Sequence, residues 1–227
     1  MAKRGGREAA AARTGAPEAA PGTPGVAGAG EALPSRERVV ETAIRLFEER
    51  GYHATGIAEL VKESGAPRGS VYFHFPGGKE QIAVEAVTRS GGRLAALVRE
   101  NLKGEGPDGS LDCAGALVAF LERVAIQVER SGFRSGGPLL IVASETASGG
   151  GLIGDACRKA YEGLASAFRE ALEDCGCAAE AASSLALTIL AAVEGAIVLS
   201  RSFRSADPLR RVAADLGVLL RAASSRA

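Results

Sequence analysis

The residues of this sequence that are best suited to chemistry lie between positions 55 and 79, and that chemistry is hydrogen bonding to bases and phosphates. Arg68 carries a planar guanidinium that can donate two parallel hydrogen bonds to guanine O6 and N7, and the Ser70 hydroxyl can bond to several base edges. Gly69 and Ser70 are small, and near the start of a helix they let the backbone approach the bases closely. The segment therefore predicts a surface that reads base pairs in a DNA major groove.

Two short helices joined by a turn must position these side chains. The first is predicted to begin after Thr55, an N-cap candidate, and to end at Gly65. The second is predicted to run from about Pro67 to Phe75, with Val71 and Phe75 facing inward because they lie four residues apart. This arrangement is typical of a helix-turn-helix.

Longer helices are predicted on either side of this pair. The upstream helix begins at Ser35, a predicted N-cap, and Gly51 ends it. The downstream helix begins at Lys79 and runs to about Lys103. Helix N-termini and a phenol can bind phosphate oxygens, and the groups placed to do so are Thr55, Tyr72 and Lys79.

The segment TAIRLFEERGYHATGIAELVKESGAPRGSVYFHFPGGKEQIAVEAV resembles the DNA-binding domain of the TetR family of repressors. The resemblance covers about residues 35–85, and it rests on the helix lengths, the turn glycine and the Tyr-Phe-His-Phe-Pro cluster followed by Lys-Glu. The GGKE after that cluster and the later GGPLLIVASE are similar to the LmrA/YxaF-like branch.

The resemblance implies that residues 67–74 form the recognition helix. It implies base contacts from Arg68, Gly69 and Ser70, with Phe73 packing against thymine methyl groups. It implies phosphate contacts from a second set, which is Thr55, Tyr72, His74 and Lys79. It also implies an effector pocket in the central helices and a homodimer formed through the last two helices.

The whole chain reads as an all-α protein in three parts. Residues 1–34 contain 22 Ala, Gly or Pro, so we expect a disordered arm. Its first 13 residues carry a net charge of +3, and we expect a solvated tail with no partner, with a contact in a DNA minor groove as the alternative. Residues 35–81 are predicted to form the three-helix DNA-binding domain. Residues 82–227 are predicted to form a helical effector-binding and dimerisation domain, with helices at about 111–130, 152–174, 178–203 and 208–222 and a short helix within 131–151.

Several aromatic and acidic residues of the second domain are candidates for the effector pocket. The stripe that contains Tyr161 and Phe168 can be helix core or pocket lining, and the two readings overlap because helical-bundle pockets are mostly apolar. A carboxylate in apolar surroundings can pair with an arginine or orient a polar group of the effector. The predicted pocket residues are Phe120, Phe133, Glu145, Tyr161, Phe168 and Glu194.

The sequence offers little for catalysis, metal binding or a nucleotide cofactor. His53 and His74 are its only histidines, and both lie in the helix-turn-helix region. The pattern GxGxxG occurs at residues 149–154, but small and polar residues separate it from the preceding apolar run, which favours a loop that enters a helix. We expect no enzyme activity, no metal and no cofactor. The four cysteines, at positions 113, 157, 175 and 177, are predicted to be buried thiols, with thiol sensing as the alternative.

The sequence shows no secretory signal, and the most hydrophobic stretch, residues 185–199, contains Glu194 and is shorter than a bilayer span. We therefore expect a cytoplasmic protein that does not cross a membrane. The predicted function is a dimeric repressor that binds a palindromic operator and is released by a small, largely apolar effector. Two alternatives remain open, a DNA-binding regulator without an effector and a helix-turn-helix used only for protein contacts. The DNA-binding segment 35–81 has seven basic and seven acidic residues, so affinity must depend on local charge and dimer geometry.

Overall fold

Apolar residues repeat at helical spacing through most of the chain, and the computed structural model, which describes residues 33–103, 112–146 and 149–224, is helical throughout. Those ranges contain no β-strand. The helices within them are α1 (Ser35–Arg50), α2 (Ile57–Ser64), α3 (Arg68–His74), α4 (Gly78–Asn101), α5 (Cys113–Arg130), α6 (Pro138–Thr146), α7 (Gly151–Asp174), α8 (Ala179–Phe203) and α9 (Asp207–Ser224). The prediction of an all-α fold is confirmed, and α6 confirms the short helix expected within 131–151.

Helix α1 begins at Ser35 itself, so its N-cap lies one residue earlier than predicted. Pro34 occupies the N-cap position, and its carbonyl accepts a hydrogen bond from the Arg38 N–H at 3.0 Å. Ser35 already belongs to the helix, and its hydroxyl accepts a hydrogen bond from Arg38 at 3.4 Å instead of capping the first turn. The predicted N-cap role of Ser35 is therefore wrong. The predicted end is right, because Gly51 follows the last turn with φ 92° and its N–H donates to the Phe47 carbonyl.

One hydrophobic cluster joins the first four helices to α6 and α7. Phe47 of α1 and Phe75 after α3 are fully buried in it, beside Ile82 of α4 and Val142 of α6. Helix α4 runs without interruption through the predicted domain boundary at residues 81 and 82. The DNA-binding helices therefore share a core with the rest of the chain, and a change in that core can reach them.

Two further clusters fill the remainder of the protein. The larger one contains residues of α4, α5, α7, α8 and α9, and the smaller one lies between α5, α8 and α9. Helix α8 also leaves apolar side chains exposed, with Leu187 at 63% and Phe203 at 66%. By length and composition α8 could cross a membrane, but one of its faces packs within these clusters.

Two of the predicted thiols are paired. Cys113 at the start of α5 and Cys175 at the end of α7 form a disulfide with a Cα–Cα distance of 6.3 Å. The prediction of buried thiols is therefore wrong for this pair, because the packing of α5 against α7 brings two distant cysteines together. It is confirmed for Cys157 and Cys177, which are free and buried. The predicted arm at 1–34 falls outside the described residues except for its last two positions.

Candidate DNA-binding surface

Helices α2 and α3 are joined by a turn that only a few residue types tolerate. Gly65 adopts the left-handed conformation, with φ 63° and ψ 14°, and its N–H donates to the Lys62 carbonyl. A side chain at this position would be strained, so glycine sets the angle between the two helices. Val71 and Phe75 anchor α3 to the core, with exposures of 1% and 0%, as their spacing predicted.

The opposite face of α3 projects outward. Arg68 and Gly69 are exposed, Ser70 and His74 are half-buried, and the Phe73 side chain is 81% exposed. The Arg68 guanidinium lies 5.8 Å from the centre of the Tyr72 ring, and the Phe73 and His74 rings meet edge to face at 5.2 Å. Apart from this edge contact, most of the Phe73 side chain stays open to a partner outside the described part of the chain.

Lys79 lies at the start of α4, next to the exposed face of α3. Its ammonium group lies 4.2 Å from the centre of the Tyr52 ring, a cation–π contact that holds the side chain against the loop between α1 and α2. Partial burial lowers the pKa of Lys79, and the negative charge of Glu145 acts in the opposite direction. The phosphate contact from Lys79 stays a prediction.

Thr55 does not have the role that the sequence suggested. Thr55 is fully buried, and its hydroxyl donates a hydrogen bond to the Gly51 carbonyl at 2.8 Å. Gly56 occupies the N-cap position of α2, and no side chain caps that helix. The predicted N-cap and phosphate contact of Thr55 are wrong, because the hydroxyl instead closes the loop after α1.

Most of the arginines of the first two helices and their loops are engaged within the protein. Arg36 pairs with Glu85, Arg45 pairs with Glu49 and Glu63, and Arg50 pairs with Glu59. Arg38 donates to the backbone carbonyls of Leu33 and Ser64. Among the described residues of this segment, the lysine and arginine side chains outside these ion pairs and hydrogen bonds are Lys62, Arg68 and Lys79.

Two carboxylates connect the DNA-binding helices to α6, and sequence reasoning assigned neither of them to this contact. Glu48 of α1 accepts three hydrogen bonds on one oxygen, from the Ser135 hydroxyl at 2.9 Å and from the Gly136 and Gly137 N–H groups at 2.8 Å. Glu145 of α6 accepts the His53 N–H at 2.8 Å. These partners lie 87 to 92 residues apart in sequence, so no local pattern could have indicated them.

Glu145 is therefore not grouped with the other predicted pocket residues. Its carboxylate lies where a Cβ at Gly51 would be, and the positive φ of Gly51 also disfavours a side chain at this position. The α6 helix directs the side chain towards the loop after α1, and a pocket contact from Glu145 stays a prediction. Its charge instead reaches Lys79 and His53.

The other predicted pocket residues lie in or against two adjoining clusters. Phe168 is buried in the cluster of α4, α5, α7, α8 and α9, and Phe120 and Tyr161 pack against it. Phe133 packs against the smaller cluster, where the Arg204 guanidinium lies 5.6 Å from its ring centre. Val193 packs against both clusters, and Glu194 follows it on α8.

Tyr161 and Glu194 form a polar pair within this apolar region. The Tyr161 hydroxyl donates a hydrogen bond to the Glu194 carboxylate, while the second carboxylate oxygen, Oε2, is buried without a hydrogen-bond partner among the described residues. Burial raises the pKa of Glu194 to about 7, although the hydrogen bond from Tyr161 lowers it. Burial also raises the pKa of Tyr161, and the nearby Glu194 raises it further. This pair can offer a hydrogen bond to a polar group that enters the core.

Two family models match the chain in the order of its domains. Residues 39–86 match the description "Bacterial regulatory proteins, tetR family", and residues 113–215 match "Transcriptional regulator LmrA/YxaF-like, C-terminal domain". The structure is similar to that of a TetR transcriptional regulator from Legionella pneumophila, with a TM-score of 0.71 at 21% identity, covering 83% of this chain and 98% of that one.

Sequence relatives extend over nearly the full length of their own chains. The HTH-type transcriptional regulator YxaF of Bacillus subtilis is 38% identical over 82% of this chain and 95% of its own length. The regulator LmrA of the same organism is 35% identical over 82% of this chain and 97% of its own. The chain belongs to the TetR family of transcriptional regulators, in its LmrA/YxaF-like branch.

Proposed function

We propose that this regulator is a repressor that binds a palindromic operator as a homodimer and is released by a small, largely apolar effector. The observation that carries the DNA-binding part is the outward face of α3. There Arg68, Gly69 and Phe73 are exposed while Val71 anchors the helix from behind. A guanidinium reads guanine, and an exposed ring can pack on thymine methyl groups.

The exposed face of α8 and α9 supports a homodimer. These two helices expose a set of large apolar side chains at 41% to 63%, which is Leu187, Val198, Leu199, Val218 and Leu219. A second copy that packs the same face would bury these side chains in a four-helix bundle. The two copies of α3 would then meet two half-sites of a palindromic operator.

The Tyr161–Glu194 pair and the α6 contacts support release by an effector. An apolar ligand with one polar group would find apolar side chains and an unpartnered carboxylate oxygen between α7 and α8. Helix α6 lies between that region and the DNA-binding helices, which it contacts through Glu145 and, just before its start, through Gly136 and Gly137. The ligand can shift the protein only by binding two arrangements of these helices with different affinity.

The test is operator binding by the wild type and by Arg68→Ala. Fluorescence anisotropy with the DNA that flanks the protein's own gene should show a loss of about 1–3 kcal/mol per half-site and a relaxed preference at one base position. Arg158→Ala is the matched control, since it removes the same charge from an exposed site on α7. Equal binding of specific and random DNA by wild type and Arg68→Ala would contradict the proposal.

The effector is tested separately, because a regulator without one is the remaining alternative. A thermal-shift screen with apolar ligands should identify compounds that raise the Tm of the wild type and release it from the operator. Compounds that stabilise the protein and leave DNA binding unchanged would favour the alternative.

A further inference from the structure

The disulfide between Cys113 and Cys175 lies at a meeting point of three helices. Cys113 is the first residue of α5, and Cys175 follows the last residue of α7. The Cys113 sulfur also lies 3.5 Å from the carbonyl oxygen of Leu102, the residue that ends α4. The bond thus joins α5 to α7 beside the carboxyl end of α4. The amino end of α4 follows α3 in the chain.

The two sulfurs differ in their access to solvent. Cys113 is 5% exposed, whereas Cys175 is half-buried and lines an open groove of about 620 Å³. The groove is also lined by Arg99, Lys103, Glu170 and Asp174, and Arg99 pairs with Glu170 at 2.9 Å. A small polar oxidant can therefore reach Cys175, while the core shields Cys113.

The backbone already holds the two cysteines at bonding range. Their Cα atoms are 6.3 Å apart, within the range of about 4.4–6.8 Å that disulfides require. The Cys175 N–H donates to the carbonyls of Ala171 and Leu172, which fixes the last turn of α7. The packed helices therefore accommodate the bond at an ordinary Cα separation.

We propose that Cys113 and Cys175 form a reversible oxidation site, in which a hydroperoxide oxidises Cys175 and Cys113 closes the disulfide. The Cys175 thiolate attacks one oxygen of hydrogen peroxide, the O–O bond breaks, and Cys175 becomes a sulfenic acid as hydroxide leaves and is protonated. The Cys113 sulfur then attacks the Cys175 sulfur, the S–O bond breaks, and a second water leaves. The two sulfurs lose two electrons in total, the peroxide gains them, and a dithiol reductant reverses the change.

The other cysteines provide matched controls. Cys157 is 4% exposed on α7, and burial raises the pKa of its thiol, so it has little thiolate. Cys177 lies two residues from Cys175 but points into the core and is 7% exposed. Cys157→Ser and Cys177→Ser should leave the bond between Cys113 and Cys175 intact.

The experiment uses the full-length protein, reduced with dithiothreitol, desalted and treated with hydrogen peroxide. Alkylation and peptide mass spectrometry should show two thiols lost in the wild type and one peptide pair, which contains Cys113 and Cys175. The Tm should rise by roughly 5–15 °C, because the bond closes a loop of 62 residues in the unfolded chain. Dithiothreitol should restore both thiols and the original Tm.

Cys113→Ser tests the order of the two steps. It should accumulate a sulfenic acid at Cys175, which dimedone labels, whereas Cys175→Ser should give neither the label nor the intramolecular bond. A disulfide between Cys175 and Cys177, a bond between two copies, or four unchanged thiols in peroxide-treated wild type would overturn the proposal. The thiol count on the wild type does not depend on how well either variant folds.

Discussion

Replacing Glu48 with alanine tests whether its carboxylate couples α1 to the segment before α6. One oxygen accepts three hydrogen bonds, from the Ser135 hydroxyl and the Gly136 and Gly137 N–H groups, at 2.8 to 2.9 Å. Alanine would leave all three donors without this acceptor in a half-buried site. Hydrogen bonds to charged groups contribute about 1.5–3 kcal/mol each when buried, but water can replace part of this set, so we expect a loss of about 2–3 kcal/mol in total.

The same loss can be read as a change in melting temperature. For a chain of this size about 1 kcal/mol corresponds to 2–4 °C, so Glu48→Ala should lower the Tm by roughly 5–10 °C. Differential scanning calorimetry at a fixed protein concentration measures it, since the Tm of a dimer depends on concentration. Glu48→Gln keeps an oxygen acceptor and should lose less than half as much.

The neighbouring Glu49 provides the control. It belongs to the same helix and is exposed, and its only described partner is Arg45 at 3.4 Å. Exposed pairs of this kind contribute about 0–1 kcal/mol, so Glu49→Ala should shift the Tm by no more than about 4 °C. Equal Tm values for the two alanine variants would refute the reasoning that Glu48 holds the two parts of the protein together.

Two further predictions concern the effector region and the dimer. The pKa of Glu194 is raised to about 7 in the folded protein, above its value near 4.5 in the unfolded chain, so its contribution to stability is complete below pH 4.5 and is lost as the pH rises through 7. Glu194→Gln should therefore remove a pH-dependent loss of roughly 3 kcal/mol in the free energy of unfolding. Urea unfolding between pH 5 and 8 measures this loss, and an unchanged pH slope would show that the carboxyl is not buried in solution. Leu187→Lys should break the dimer in analytical ultracentrifugation, because it places a charge in the apolar face of α8, whereas Leu152→Lys, at a similarly exposed position on α7, should not. Dimerisation of both variants would place the contact elsewhere.

Local signals in the sequence predicted the helix-turn-helix closely. Gly65 in the left-handed conformation ends α2, and the buried side chains of Val71 and Phe75 anchor α3. Both features could be predicted because each depends only on the backbone conformation of one residue or on two side chains one turn apart. The same local reasoning failed at Ser35 and Thr55. Both residue types favour N-caps, but each hydroxyl found another partner within the fold.

The sequence by itself determined the all-α class, the family and the residues that α3 turns outward, since periodicity and short motifs carry this information. The tertiary structure alone decided which distant groups meet. It directed Glu145 to the loop after α1, gave Glu48 three donors from the segment before α6, and placed Cys175 against Cys113. These pairs lie 62 to 92 residues apart, and their contacts arise from how whole helices pack, for which no single segment carries a signal.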